Sequence, residues 1–265
     1  MNKNSGRAFL VADKLVIFDC DGVLVDSEPL AAEAYERVYE KHGMSGVGTD
    51  IIAQCIGMKQ ADIIVKIKEL TGHAFPDHAH DDIWAETKQL FTEKLAETEG
   101  LRHFLDALPL TRCVASSSSL ERIHHSLEIT GLAPYFGDSI YSSSMVKRGK
   151  PAPDIFLHAA EKMRADPSRC VVIEDSPLGV EGAVAAKMTA IGYTGGGHTY
   201  DGHGERLKSR GAVAACASWD AVRELFTSLL AFSLSSVATI VVHWLFVGWR
   251  VRRAQAYFGR SGANA

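Results

Sequence analysis

Short apolar runs alternate with amphipathic stretches along the chain, and each run closes on small or acidic residues, the pattern of a parallel sheet covered by helices. The runs predict strands at Lys14–Asp19, Arg112–Ser116, Ser139–Tyr141, Cys170–Glu174, Thr189–Gly192 and Ala212–Ala215. Between the first and the second lie about 90 residues without a strand-like run, and there a spacing near 3.6 predicts helices over Leu30–His42, Ala61–Leu70 and Asp81–Glu97. That block reads as an all-helical insertion into an α/β domain.

The joints of the insertion are legible. Ser27 is placed to cap a helix whose first turn holds Glu28 and Pro29, Gly43 suits its C-terminal end, and Glu99–Gly100 marks the far joint before Leu101–Leu108. The expected organisation is a core of residues 1–27 and 100–228, a helical cap of 28–99 and an apolar C-terminal extension of 229–265. A helical lobe joined by two short links can hinge over a cleft and exclude water, leaving substrate selection to the insert. The glycine-rich stretch Gly192–Gly204 lacks the lysine of a P-loop and the spacing of a dinucleotide fingerprint, so it reads as a mobile loop without a nucleotide.

Composition narrows the classes. The 265 residues are 46% hydrophobic and 23% charged, which excludes disordered, collagenous and disulfide-stapled chains. A net charge of -4 offers no basic field for a nucleic-acid backbone. Five cysteines without a CxxC pair suggest neither a disulfide framework nor zinc, so reduced thiols in the cytoplasm are expected. The first residues, through Phe18, lack the apolar core and cleavage site of a secretion signal.

The strongest chemical signal is KLVIFDCDGVLVDSE, an apolar strand finishing in Asp19-Cys20-Asp21-Gly22. Residues i and i+2 of an extended chain share a face, so both carboxylates project together where an open α/β sheet binds ligands. Adjacent carboxylates call for a shared proton or a hard cation such as Mg2+, the competing reading being a capped turn. Ser116-Ser117-Ser118-Ser119 at the second strand's end offers hydroxyls and backbone N–H groups to phosphate, or else a helix cap. Lys150 stands in RGKPAPDIF, where Pro151 and Pro153 are expected to hold the segment extended before a helix at Asp154. Glu174-Asp175 closes the strand CVVIED, again as metal ligand or as cap.

In order and context, Asp19, Asp21, Ser116, Lys150 and Asp175 resemble the four motifs of the haloacid dehalogenase superfamily of phosphohydrolases, and the resemblance runs through about residue 228. It implies a Rossmann-like parallel sheet with a small helical cap, as in the subgroup of phosphoglycolate phosphatases, sugar-phosphate phosphatases and β-phosphoglucomutase. It further implies that Asp19 attacks phosphorus to form an aspartyl-phosphate and that Asp21 serves as acid and then base. Ser116, with Ser117, would hold the phosphoryl group, Lys150 would offset its charge, and Mg2+ would sit on Asp19, the Asp21 carbonyl and Asp175 with Glu174 nearby. Dehalogenating members are similar but lack an acid at the position of Asp21, which argues against carbon–halogen cleavage.

Phosphatase and mutase share this core. The cap segment Cys55–Asp62 resembles the family's specificity loop, which brings Gly57 and Lys59 toward the substrate and sets Gln60 where the mutase carries an arginine. A neutral amide cannot make the bidentate contact to a second phosphate, so hydrolysis is expected, with Lys59 as the substitute that keeps the mutase open. The acidic and histidine-rich run Asp77–Asp82, His124, His125 and His158 read as surface or core residues. The expected enzyme is a Mg2+-dependent phosphatase of a sugar phosphate or sugar-acid phosphate; the alternatives are a phosphosugar mutase and a membrane-tethered binding protein. The tether rests on residues 225–249, which lack Asp, Glu, Lys and Arg over a length that can span a bilayer. Six Ser or Thr, a histidine and the arginines beyond it favour a packed helix or an idle extension.

Overall fold

The computed structural model describes residues 14–44, 47, 49–55, 58, 60–72 and 79–227. In chain order these hold β1 (Leu15–Phe18), α1 (Glu28–Lys41), α2 (Thr49–Ile52), α3 (Gln60–Thr71), α4 (Ala79–Lys94), α5 (Leu101–Ala107), β2 (Thr111–Ser116) and α6 (Leu120–Ile129). There follow β3 (Ile140–Ser142), α7 (Asp154–Lys162), β4 (Cys170–Glu174), α8 (Pro177–Ala185), β5 (Thr189–Tyr193), α9 (His203–Ser209) and β6 (Ala214–Cys216). All six expected strands are present, with ends that differ from the expected ones by at most two residues.

The strands make one parallel sheet in the order β3-β2-β1-β4-β5-β6. Order reverses beside β1, and it is outside the carboxyl ends of strands at such a switch point that ligands bind. The four residues of β1 are all apolar and all buried, because helices cover both faces of the sheet. Leu15 and Ile17 pack with Ile155 and Phe156 of α7 and Val180 and Ala183 of α8. Phe18 meets Phe104, Phe136 and Trp219 with centroids 5.8–6.3 Å apart. The period of two along four residues thus fills two layers of core.

The helices α1 to α4 are the expected insertion between β1 and β2, and they carry an apolar cluster of their own from Tyr35, Val38, Tyr39, Ile52, Ile67 and Ile83. The links to it run side by side. Asp26 N–H donates to the Ala96 carbonyl and Thr98 N–H to the Leu24 carbonyl, closing an antiparallel bridge between Val25 and Glu97. The Thr98 hydroxyl donates to the Val23 carbonyl at 2.7 Å and accepts from Trp219 Nε1 at 2.8 Å. Gly100 opens α5 at φ +84, and Gly43 follows α1 at φ +74, conformations that glycine adopts without strain.

Two local expectations are corrected. Ser27 stands before α1 but caps nothing; its hydroxyl is drawn to the Asp21 carboxylate instead. The segment around Lys150 is a turn rather than extended: Ala152 N–H, the one amide donor the two prolines leave between 151 and 153, donates to the Gly149 carbonyl at 2.9 Å. All five cysteines are free and buried. Residues 221–227 are helical and are the described part of a second unit that begins at Ala221. Among the described residues no helix is long and apolar enough to cross a membrane; positions 228–249 of the uncharged stretch, and residues 1–13, lie outside them.

Candidate active site

The apolar run of β1 ends where the sheet ends, so Asp19 emerges beside the ends of β2 and β4; its N–H still donates to the Ile173 carbonyl at 3.0 Å. Asp19 and Asp21 line one cavity of about 50 Å3, together with Ser116, Ser117, Lys150 and Asp175, while Cys20 is buried away from it. The two-residue spacing therefore places both carboxylates on one face.

Lys150 Nζ donates to Asp19 Oδ1 at 2.6 Å and also to Glu174, with 1% of its side chain exposed. The second oxygen of Glu174 accepts from the backbone N–H of Ser176 at 3.0 Å and from its hydroxyl at 2.9 Å. Ser176 in turn caps α8, accepting from Gly179 N–H. Burial pushes the Asp19 and Glu174 carboxyls up, Lys150 opposing and Asp175 adding to the rise in both. Burial works against the Lys150 ammonium, but the two carboxylates override it and hold the proton there.

Asp21 is surrounded by donors. Ser27 and Arg122 reach Oδ1 at 2.8 and 2.6 Å, and Ser118 and Ser116 reach Oδ2 at 2.7 and 3.3 Å. Burial alone would raise its carboxyl, yet the Arg122 guanidinium and the hydroxyls of Ser118 and Ser27 outweigh that and hold it below the usual carboxylate range. Ser119 caps α6 by accepting from Arg122 N–H, so the serine run divides its work between cap and site.

Oxygens of Asp19, Glu174 and Asp175 lie within 4.8 Å of one another, all buried, with Lys150 as the cation among them. His198 Nε2 lies 2.9 Å from Asp175 Oδ2 as an ion-pair contact. A buried cluster of three carboxylates with one lysine among them fits a hard divalent cation. Burial opposes the His198 imidazolium, but Asp175 prevails and raises it to about 9. His203 Nε2 lies 2.7 Å from the Asp175 carbonyl oxygen, so two histidines flank this aspartate.

The structure thus gathers Asp19, Asp21, Ser116, Ser117, Lys150, Glu174 and Asp175 at one sheet edge. Gly57 and Lys59 lie outside the described residues, as do Asp77 and His78 of the acidic run. Sequence reasoning missed Glu28, Arg122 and His198. The glycine-rich loop read as mobile is tied to the site: Gly197 N–H donates to Asp26 at 2.8 Å, and a Cβ on Gly196 would fall 2.9 Å from the Gly22 carbonyl. Three consecutive glycines ahead of a histidine were the available signal for close approach.

Residues 14–187 match the family model of haloacid dehalogenase-like hydrolases. A phosphorylated carbohydrates phosphatase of Thermotoga maritima is 34% identical over 207 residues, covering 75% of this chain and 92% of that one. The 6-phosphogluconate phosphatase of Escherichia coli K12 is 29% identical over 174 residues, 65% of this chain and 79% of its own. Among solved structures, a conserved haloacid dehalogenase-like protein of unknown function from Agrobacterium tumefaciens C58 superposes with a TM-score of 0.71 at 34% identity, covering 82% of this chain and 99% of that one.

Proposed function

The chain belongs to the haloacid dehalogenase-like hydrolases, and on that premise we propose that it is a Mg2+-dependent phosphatase of small phosphorylated carbohydrates that works through an aspartyl-phosphate. The observation that carries this reading is the meeting of Asp19, Asp21, Ser116 and Lys150 around one cavity at the sheet's switch point. The names of the curated relatives, phosphatases of 6-phosphogluconate and of phosphorylated carbohydrates, support the substrate class.

A carboxylate facing a phosphate dianion at ~4 Å is repelled by about 8 kcal/mol at an effective dielectric of ~20, so cations must stand between them. Lys150 supplies one, fixed by Asp19 and Glu174. Asp19, Asp175 and the Asp21 backbone carbonyl are the groups to hold Mg2+, with Glu174 behind them; bound there, the ion supplies the remaining positive charge. In the first half-reaction a carboxylate oxygen of Asp19 bonds to phosphorus, the ester P–O bond breaks, and the Asp21 carboxyl gives its proton to the leaving oxygen. In the second, Asp21 takes a proton from water as that water attacks phosphorus, releasing phosphate and restoring Asp19. The donors on Asp21 in this geometry favour its ionised form, the one the second half needs. Ser116 and Ser117 orient the phosphoryl oxygens through hydroxyl and backbone N–H groups.

Phosphate release from p-nitrophenyl phosphate in Mg2+ is the test. Asp19→Asn should lower it at least about a thousandfold, and a chelator should abolish it reversibly. Turnover that survives in Asp19→Asn would refute the nucleophile.

A further inference from the structure

Beside the reaction cavity lies a second one of about 220 Å3, bounded by Tyr35, Trp84 and Thr87 from the insert and by Ser117, Ser119 and Ser144 from the core, among others. Its walls are hydroxyl-rich, and among the described residues that line it Arg122 is the charged one. Arg122 lines the reaction cavity as well, so one side chain borders both.

The side chain is held firmly but not satisfied. It rises from the first turn of α6, lies with Cζ 5.0 Å from the centroid of Phe91 in α4, and gives one N–H to Asp21. Its Nε is buried and has no hydrogen-bond partner among the described residues. A guanidinium offers five donors in a planar fork suited to bidentate oxyanion contact, and the contact with Asp21 engages one of them. The residue is not required to neutralise the attacking oxygen, since Lys150 already contacts Asp19.

Resting on the phosphatase reading above, we propose that Arg122 is a specificity-determining residue, which selects phosphate esters whose leaving group carries a second anionic group and binds that group in the cavity beside the site. The hydroxyl-bearing walls would receive the polyol between the two anions. Carboxylate and phosphate share the oxyanion geometry Arg122 reads, and matched substrates tell them apart.

The test compares specificity constants within two pairs: gluconate 6-phosphate against sorbitol 6-phosphate, and glucose 1,6-bisphosphate against glucose 6-phosphate. Wild type should favour the doubly anionic member of at least one pair by about tenfold to a hundredfold, the span of a charge-assisted bidentate contact, chiefly through KM. Arg122→Met should bring that ratio close to one, and Arg122→Lys should keep part of it. Both variants also disturb Asp21, so every ester will lose rate, but that common loss cancels in the ratio. A ratio unchanged in Arg122→Met would reduce Arg122 to a partner of Asp21 and overturn the proposal, as would a wild type without preference in either pair. If Arg122→Met does not fold, product inhibition of wild type decides: gluconate should inhibit at least about tenfold more strongly than sorbitol, and equal inhibition refutes the idea. Hydrolysis of p-nitrophenyl phosphate, which has no second anion, reports on the phosphatase reading alone.

Discussion

Lys150 is the cation that lets Asp19 and Glu174 share the interior with Asp175. Removing one partner of a buried ion group leaves the others uncompensated at a cost of several kcal/mol. Lys150→Met should therefore lower the unfolding free energy by about 3 kcal/mol in chelator at neutral pH, measured by urea denaturation. Glu28, which reaches the reaction cavity from α1, works in the opposite sense. Burial, then Asp21 and Asp175, raise its carboxyl to about 7. Folding thus favours its protonated form, and that stability is full below the unfolded value near ~4.3 and is lost as pH rises through 7. Metal-free Glu28→Gln, neutral at every pH, should match wild type near pH ~4 and exceed it by roughly 3–4 kcal/mol near pH ~8. Equal stability at both would refute the assignment. At this scale the sequence spoke where chemistry sat on a strand end, as at Asp19 and Asp21, because a period of two fixes direction. It was silent for Arg122, since a helical arginine carries no mark of which neighbour its long side chain will reach.

Among elements, α8 is the one most tightly bound to the chemistry. A Cβ on Gly179 would lie 1.9 Å from Glu174 Oε1, and that carboxylate cannot retreat while Lys150 and Ser176 grip it. Gly179→Ala should cost about 2–3 kcal/mol, seen as a lower Tm, although alanine suits a helix better than glycine. Strands were the most readable elements, because a sheet covered on both faces leaves near-continuous apolar runs such as Val171–Ile173. The turn at Lys150 was not readable: two prolines restrict the backbone, but whether Ala152 finds the Gly149 carbonyl is settled by the strand and helix on either side.

For the whole molecule, the division into sheet and helical insert followed from the change of period after Phe18, whereas the pairing of the two links depends on contacts about 70 residues apart that no local pattern records. Thr98 joins those links to the aromatic layer beneath them, one hydroxyl serving both Val23 and Trp219. Thr98→Val keeps the shape and strands an indole N–H and a carbonyl, so it should destabilise by about 2 kcal/mol in chemical denaturation. A change below a few tenths would mean that water replaces the hydroxyl.

The paired links also decide which aspartate answers to the insert. Ser27, the last residue before the insert's first helix, donates to the Asp21 carboxylate, whereas Asp19 is anchored to a central strand through its own amide. That hydroxyl is one of the donors that hold the Asp21 carboxyl down, so Asp21, unlike Asp19, is tuned from the insert's side of the joint.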